Sequence, residues 1–256
     1  MSEVRQGTLS PVETNKEDSM KNSIRRVFVM MIAVAMIVAA LPVFASGAPE
    51  EDGPMYIPVV SKGLQHQFWQ TVKAGADDAA AEYGVEITFE GPASEADIQD
   101  QVQMFQNAMA QGPAAVALAA LDTNSVMDQL NEAVRRGIPI IGFDSGVPNA
   151  PAGSIYATAS TNNAAAAALG ADAMIEEIGA AVRASTTADP VTIVVLSQDA
   201  TSESVTRRGF GFRDRMVELL LSEGVAESEI LVTGNPAYVE GPMSSNPRVI
   251  LDMVVP

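Results

Sequence analysis

From Met55 onward the chain alternates short apolar runs with longer segments of helical period, and this alternation limits the possible folds more than any other feature. Met55–Val60 is apolar and reads as a buried strand. A helical segment from Phe68 to Tyr83 follows, with Gly84 as its stop. Val85–Phe89 alternates with period two. Asp97 is placed to cap a helix on which Ile98, Val102, Phe105 and Met109 share one face. Ala114–Ala119 is the third apolar run. A helix capped by Asn124 or Ser125 is expected next, with Val126, Leu130 and Val134 inward and Gly137 as its stop. Pro139–Phe143 and Ser154–Ala159 read as the fourth and fifth strands. Strand–helix–strand repetition at this spacing implies a parallel sheet covered on both faces, a doubly wound α/β fold.

The pattern restarts after Asn162. An Ala-rich helix is expected over about Asn163–Ala184, then a strand at Val191–Leu196, a helix from about Glu203 to Glu223, and a strand at Ile230–Thr233. The division expected is a first lobe over 55–160 and a partial second lobe over 161–256. A doubly wound lobe wants about five or six strands, and only two stand out here. Val249–Pro256 does not continue as the expected helix. It reads either as an improvised strand or as the sign of a gene truncated or frameshifted near Gly241.

Upstream, Val27–Ala45 holds nineteen residues without a charge, preceded by Lys21, Arg25 and Arg26. Pro42 and the small residues near Ala45 give the layout of a cleaved secretory signal over 20–45, with cleavage after Ala45 or, second, after Ala48. A retained membrane anchor is the competing reading. Met20 is the expected true start, which makes 1–19 a misassigned extension. Residues 46–54 read as a flexible leader, and the product expected is secreted.

Composition narrows the function. Thirty-two acidic against fifteen basic residues, a formal net charge of −17, argue against a nucleic-acid partner. The absence of cysteine removes disulfides, thiolate metal sites and cysteine nucleophiles, and the single histidine, His66, cannot build a histidine-rich metal site. The sequence contains no dinucleotide or P-loop glycine motif and no nucleophile elbow. An enzyme, a metal and a cofactor are therefore not expected.

Ligands of open parallel sheets bind beyond the carboxyl ends of the strands. Those ends carry Ser61–Trp69, Glu90–Pro92, Asp122–Asn124, Asp144–Gly146 and Thr161–Asn162. Aromatic faces with carboxylates and amides suit a polyhydroxylated ligand. Asp144 is the leading candidate. Of Phe68 and Trp69, one ring is expected in the cleft. Asp122 reads equally as a ligand group or a helix cap, and His66 alone reads as a solvated loop residue. Arg207 and Arg208 offer a fork of donors or a surface ion pair with Glu203. Tyr238 could stack on a second sugar face.

Tyr56–Trp69 (YIPVVSKGLQHQFW), Glu90–Val102, Ala119–Asn124, Ile138–Gly146 (IPIIGFDSG) and Thr201–Phe212 (TSESVTRRGFGF) together resemble the periplasmic sugar-binding proteins of the ribose-binding type. The resemblance implies two doubly wound lobes closing on a monosaccharide and delivering it to the permease of an ABC transporter, by a monomer located in the periplasm. By position it implies His66, Phe68 and Trp69 near the ligand, Asp144 on sugar hydroxyls, Asn162 near the hinge and Arg208 from the second lobe. Ser145 and Thr161 depart from the ribose pattern, which argues against ribose itself. The missing second-lobe strands lead to an expectation of weak or absent binding. A sugar sensor feeding a chemoreceptor, a secreted carbohydrate-active enzyme and a gene remnant are the alternatives.

Overall fold

The computed structural model describes residues Gly53–Pro256. The signal segment, both cleavage positions, Met20 and the extension before it lie outside the described residues. Two parallel sheets are present. The first has β1 (Val59–Val60), β2 (Phe89–Glu90), β3 (Val116–Leu118), β4 (Ile140–Phe143) and β5 (Ile155–Ala159) in the order β2-β1-β3-β4-β5. The second has β6 (Val191–Leu196), β7 (Ile230–Gly234) and β8 (Val249–Val254) in the order β6-β8-β7. Every pairing between these strands is parallel.

Five helices join them: α1 (Gln67–Tyr83), α2 (Ile98–Ala110), α3 (Met127–Arg136), α4 (Asn163–Ala184) and α5 (Glu203–Ser222). Gly84 ends α1 at φ 65°, where its N–H bonds the Ala80 carbonyl, and Gly137 ends α3 at φ 67°. A left-handed residue after a helix favours glycine because there is no Cβ to clash. Two start signals differ from expectation. Asp97 precedes α2 but makes no side-chain cap; its carboxylate accepts from the Ser94 N–H instead. α3 begins later than Asn124 or Ser125 would place it, after Val126, because the Asp122 carboxylate collects the free amides of that turn. Its buried face is Leu130 and Ala133, and Val134, expected inward, is 44% exposed.

Each sheet has its own core. The first gathers Val60, Phe105, Met109, Val116, Leu118, Leu130 and Ile140. The second gathers Ile175, Ile193, Met216, Leu220, Ile230, Val249, Leu251 and Met253. Each such aliphatic or aromatic side chain contributes about 1.5–3 kcal/mol on leaving water. β8 explains how Val249–Val254 is used. Its alternate residues Val249, Leu251 and Met253 are fully buried, and it lies centrally, hydrogen-bonded to β6 on one side and β7 on the other. Among the described residues nothing covers the outer face of that sheet on β6, where Val194 is 59% and Leu196 71% exposed.

Candidate functional site

The carboxyl ends of β1, β4 and β6 meet where the two lobes touch. β4 ends in a tight reversal. The Ser145 N–H bonds the Phe143 carbonyl at 2.5 Å across Asp144, whose φ is 55°. Asp144 is the one non-glycine with positive φ among the described residues. Such a conformation costs on the order of 1–3 kcal/mol and tends to persist where a side chain must be aimed. The aimed carboxylate meets Lys62, at the tip of β1. The Lys62 ammonium lies 3.2 Å from Asp144 Oδ2 and donates to Ser202 Oγ and Ser204 Oγ, each at 3.2 Å. Lys62 is 5% exposed.

A second contact between the lobes runs through Trp69. Its indole N–H donates to Glu95 Oε1 at 2.8 Å, and Gln198 of the second lobe donates to Glu95 Oε2 at 3.0 Å. Glu95 thus joins the chain's single tryptophan to the end of β6. Trp69 is 2% exposed and is the one buried side chain of α1. Phe68 packs edge-on to it at 4.8 Å while remaining largely exposed. Phe143, next to Asp144, lies 6.4 Å from the Trp69 ring centre.

Three cavities are lined by both lobes. One, of about 390 Å³, is bounded by Gly146, Thr158, Thr161, Asn162, Glu203 and Arg207. A second, of about 400 Å³, is bounded by Thr123, Pro148, Thr201, Glu203 and Arg207. The third, of about 370 Å³, is bounded by Gly63, His66, Ser94, Glu95 and Gln198. The walls offer hydroxyl, amide, carboxylate and guanidinium groups, a set that can donate to and accept from a polyol.

The residues proposed from sequence are distributed unevenly over this region. Asp144 stands at the meeting of the lobes. Ser160 donates to its backbone carbonyl, which places the Thr161–Asn162 corner beside it. Asn162 lines the first of these cavities, yet its side-chain oxygen caps α4 by accepting from the Ala165 N–H. His66 is exposed and lines the third. Arg208 is exposed and borders a separate cavity of about 330 Å³ with Val205, Leu196 and Phe212, all of the second lobe.

Asp122 fills its helix-entry role: Oδ1 accepts from the Asn124 N–H, the Ser125 N–H and the Ser125 hydroxyl. Burial pushes its carboxyl up, but the Ser125 and Asn124 hydrogen bonds outweigh burial and hold it below the usual carboxylate range. Tyr238 differs most from expectation. Its ring is 0% exposed, packed against Gly209 and 5.2 Å from Phe210, and its hydroxyl donates to the Asp199 carbonyl. Gly209 leaves the space this ring fills, so the ring belongs to the second core instead of a sugar face. Burial pushes its phenol above the ordinary value.

Sequence reasoning did not single out Lys62, Glu95, Gln198, Ser202 or Ser204. Lys62 lies within the Ser61–Trp69 strand end, and Gln198 lies two residues beyond β6, where the same strand-tip rule applies. Glu95 lies five residues past β2, beyond where a strand-end search stops.

Residues 57–239 match the periplasmic binding protein domain. The D-allose-binding periplasmic protein of Escherichia coli (strain K12) is 29% identical over 126 residues, 48% of this chain and 40% of that protein. A solved chain from Brachyspira murdochii, described as an ABC transporter, LacI family transcriptional regulator, is 37% identical with a TM-score of 0.62, covering 79% of this chain and 57% of that one. An ABC transporter solute-binding protein from Agrobacterium vitis with bound D-fucose is 28% identical with a TM-score of 0.59, covering 77% and 56%. The chain therefore spans about half the length of these relatives. With the matched domain spanning well over half of the chain, the chain belongs to the periplasmic binding protein family.

Proposed function

We propose that the protein is the solute-binding component of a carbohydrate ABC transporter, acting in the periplasm as a monomer without catalysis. It takes a monosaccharide between its lobes and presents it to a permease. The observation that carries this reading is the convergence of β1, β4 and β6 tips on Asp144, Lys62 and the Trp69–Glu95–Gln198 chain, at a polar junction of two lobes. Relatives described as binding D-allose and D-fucose support a sugar of this size. Carboxylate and amide oxygens accept from sugar hydroxyls, and Arg207 donates to them. A ligand touching both lobes binds the closed arrangement in preference to the open one, and that difference shifts the population.

Isothermal titration against a panel of aldopentoses, aldohexoses and 6-deoxyhexoses tests the reading. A weak saturable heat with at least one sugar, lost in Asp144→Asn, is expected. No heat with any member of the panel would overturn it.

A further inference from the structure

The lobes are joined by more than a hinge. Lys62 has three ammonium hydrogens and three acceptors: Asp144 of its own lobe, and Ser202 and Ser204 of the other. Ser202 and Ser204 are in turn bound to Ser145, whose hydroxyl is 3.1 Å from Ser202 Oγ and accepts from the Ser204 N–H at 3.2 Å. Around this knot, the Thr123 N–H donates to the Thr201 carbonyl at 3.2 Å, the Gly146 N–H to Glu203 Oε2 at 3.4 Å, and Gln198 to Glu95 at 3.0 Å. Lys62, Ser145, Ser202 and Ser204 are all buried.

We propose that Lys62 is a latch: its ammonium, anchored by Asp144, grips the first residues of α5 and holds the lobes together using the protein's own groups alone. The proposal goes beyond the transport reading and does not need it. The physical basis is the match of donors to acceptors in a site screened from salt. Hydrogen bonds to a charged donor are about twice as strong as neutral ones, and buried charge pairs keep most of their strength at physiological ionic strength. Opening the lobes exchanges both serine partners of Lys62 for water while Asp144 stays in place. A ligand that needs the lobes apart to enter then binds only the opened fraction, and its apparent affinity falls by that fraction.

The chain has no native cysteine, so spin labels can be placed cleanly. Ala74→Cys on α1 and Ala226→Cys after α5, both exposed, report the separation of the lobes. The labelled 256-residue chain, in buffer without sugar, is expected to give one narrow short distance. Lys62→Met is expected to shift it to longer, broader separations. It should also speed hydrogen exchange at the Thr123 and Ser204 amides at least tenfold. Because Lys62→Met leaves Asp144 without its partner, Ser202→Ala/Ser204→Ala is measured beside it. That variant keeps the ion pair, removes the grip on α5 together with the Ser145–Ser202 hydroxyl contact, and is expected to shift in the same direction. Unchanged distances and exchange in the double-alanine variant, or a long broad distribution in the parent chain, would overturn the latch. Failure of the sugar titration would leave it standing.

Discussion

Gly75 and Gly211 offer a matched pair of substitutions whose outcomes should have opposite sign. Both lie in helix interiors, Gly75 in α1 and Gly211 in α5. Replacing either with alanine gains about 1 kcal/mol of helix propensity. At Gly75 the added methyl meets nothing within 4 Å, so the gain stands. At Gly211 the methyl would sit 2.5 Å from the Ala164 Cα and 2.7 Å from its carbonyl carbon, and against its carbonyl oxygen. These are backbone atoms at the start of α4 and cannot rotate away. Overpacking costs about 1–3 kcal/mol, and rigid backbone belongs at the upper end. The net expectation is about 1 kcal/mol of stabilisation for Gly75→Ala and about 2 kcal/mol of loss for Gly211→Ala. With a urea slope of about 2 kcal/mol/M, the two midpoints should differ by about 1.5 M. Far-UV circular dichroism is the appropriate probe, because it reports helices of both lobes. A Gly211→Ala midpoint equal to or above the parent's would refute the close contact of α4 with α5.

Two further predictions follow from the shifted titrations. Asp122→Ala removes three accepted hydrogen bonds at the entry to α3 and should cost about 1–2 kcal/mol at pH 7, read from urea midpoints. Because the folded carboxyl is held below its unfolded value near 3.9, its stabilisation is present above about pH 4 and is lost as pH falls through the folded value. The gap between parent and variant should therefore shrink in acid; a gap constant from pH 7 to pH 3 would contradict this. Tyr238→Phe should cost about 1 kcal/mol at pH 7 through its lost bond to the Asp199 carbonyl. The parent's buried phenol has a raised pKa, so its contribution is complete below about pH 10 and is lost as pH rises through the folded value. Above pH 10 the parent should lose stability faster than the phenylalanine variant, and parallel pH profiles would show that the ring is not buried.

Much of the architecture was legible because the parallel strands are written as continuous apolar runs, even on β6, where one face stays open. Val191–Leu196 and the span Asn163–Ala184 agree with expectation to the residue. The site was harder to read. Tyr238 follows a strand end, as a ligand group would, and nothing local reveals that Gly209, twenty-nine positions earlier, vacates a slot for its ring. Val134 fits the inward spacing from Val126 and Leu130, yet α3 starts only at Met127 and turns Ala133 inward instead. Lys62 falls within the Ser61–Trp69 strand end, but nothing in that segment marks it as the buried group. Its burial depends on acceptors 82, 140 and 142 residues away, and no periodicity carries that information. Asp144 was found because strand-end position and local turn chemistry both point to it.

The open side of β6 has a consequence for the chain in solution. Val191–Leu196 reads VTIVVL, six residues with no charge and no proline, at the end of the strand order β6-β8-β7. An outermost strand leaves a row of amides and carbonyls able to template another polypeptide. An uncharged β-branched hexamer is also the kind of segment that stacks into dry zippers. No lysine or proline within it blunts that tendency. Mutual repulsion between molecules of net charge −17 does so at a distance. Its reach contracts to about 10 Å at 0.1 M salt and about 3 Å at 1 M. Colloidal behaviour is thus governed by ionic strength: the acidic surface acts as the guard that this strand lacks.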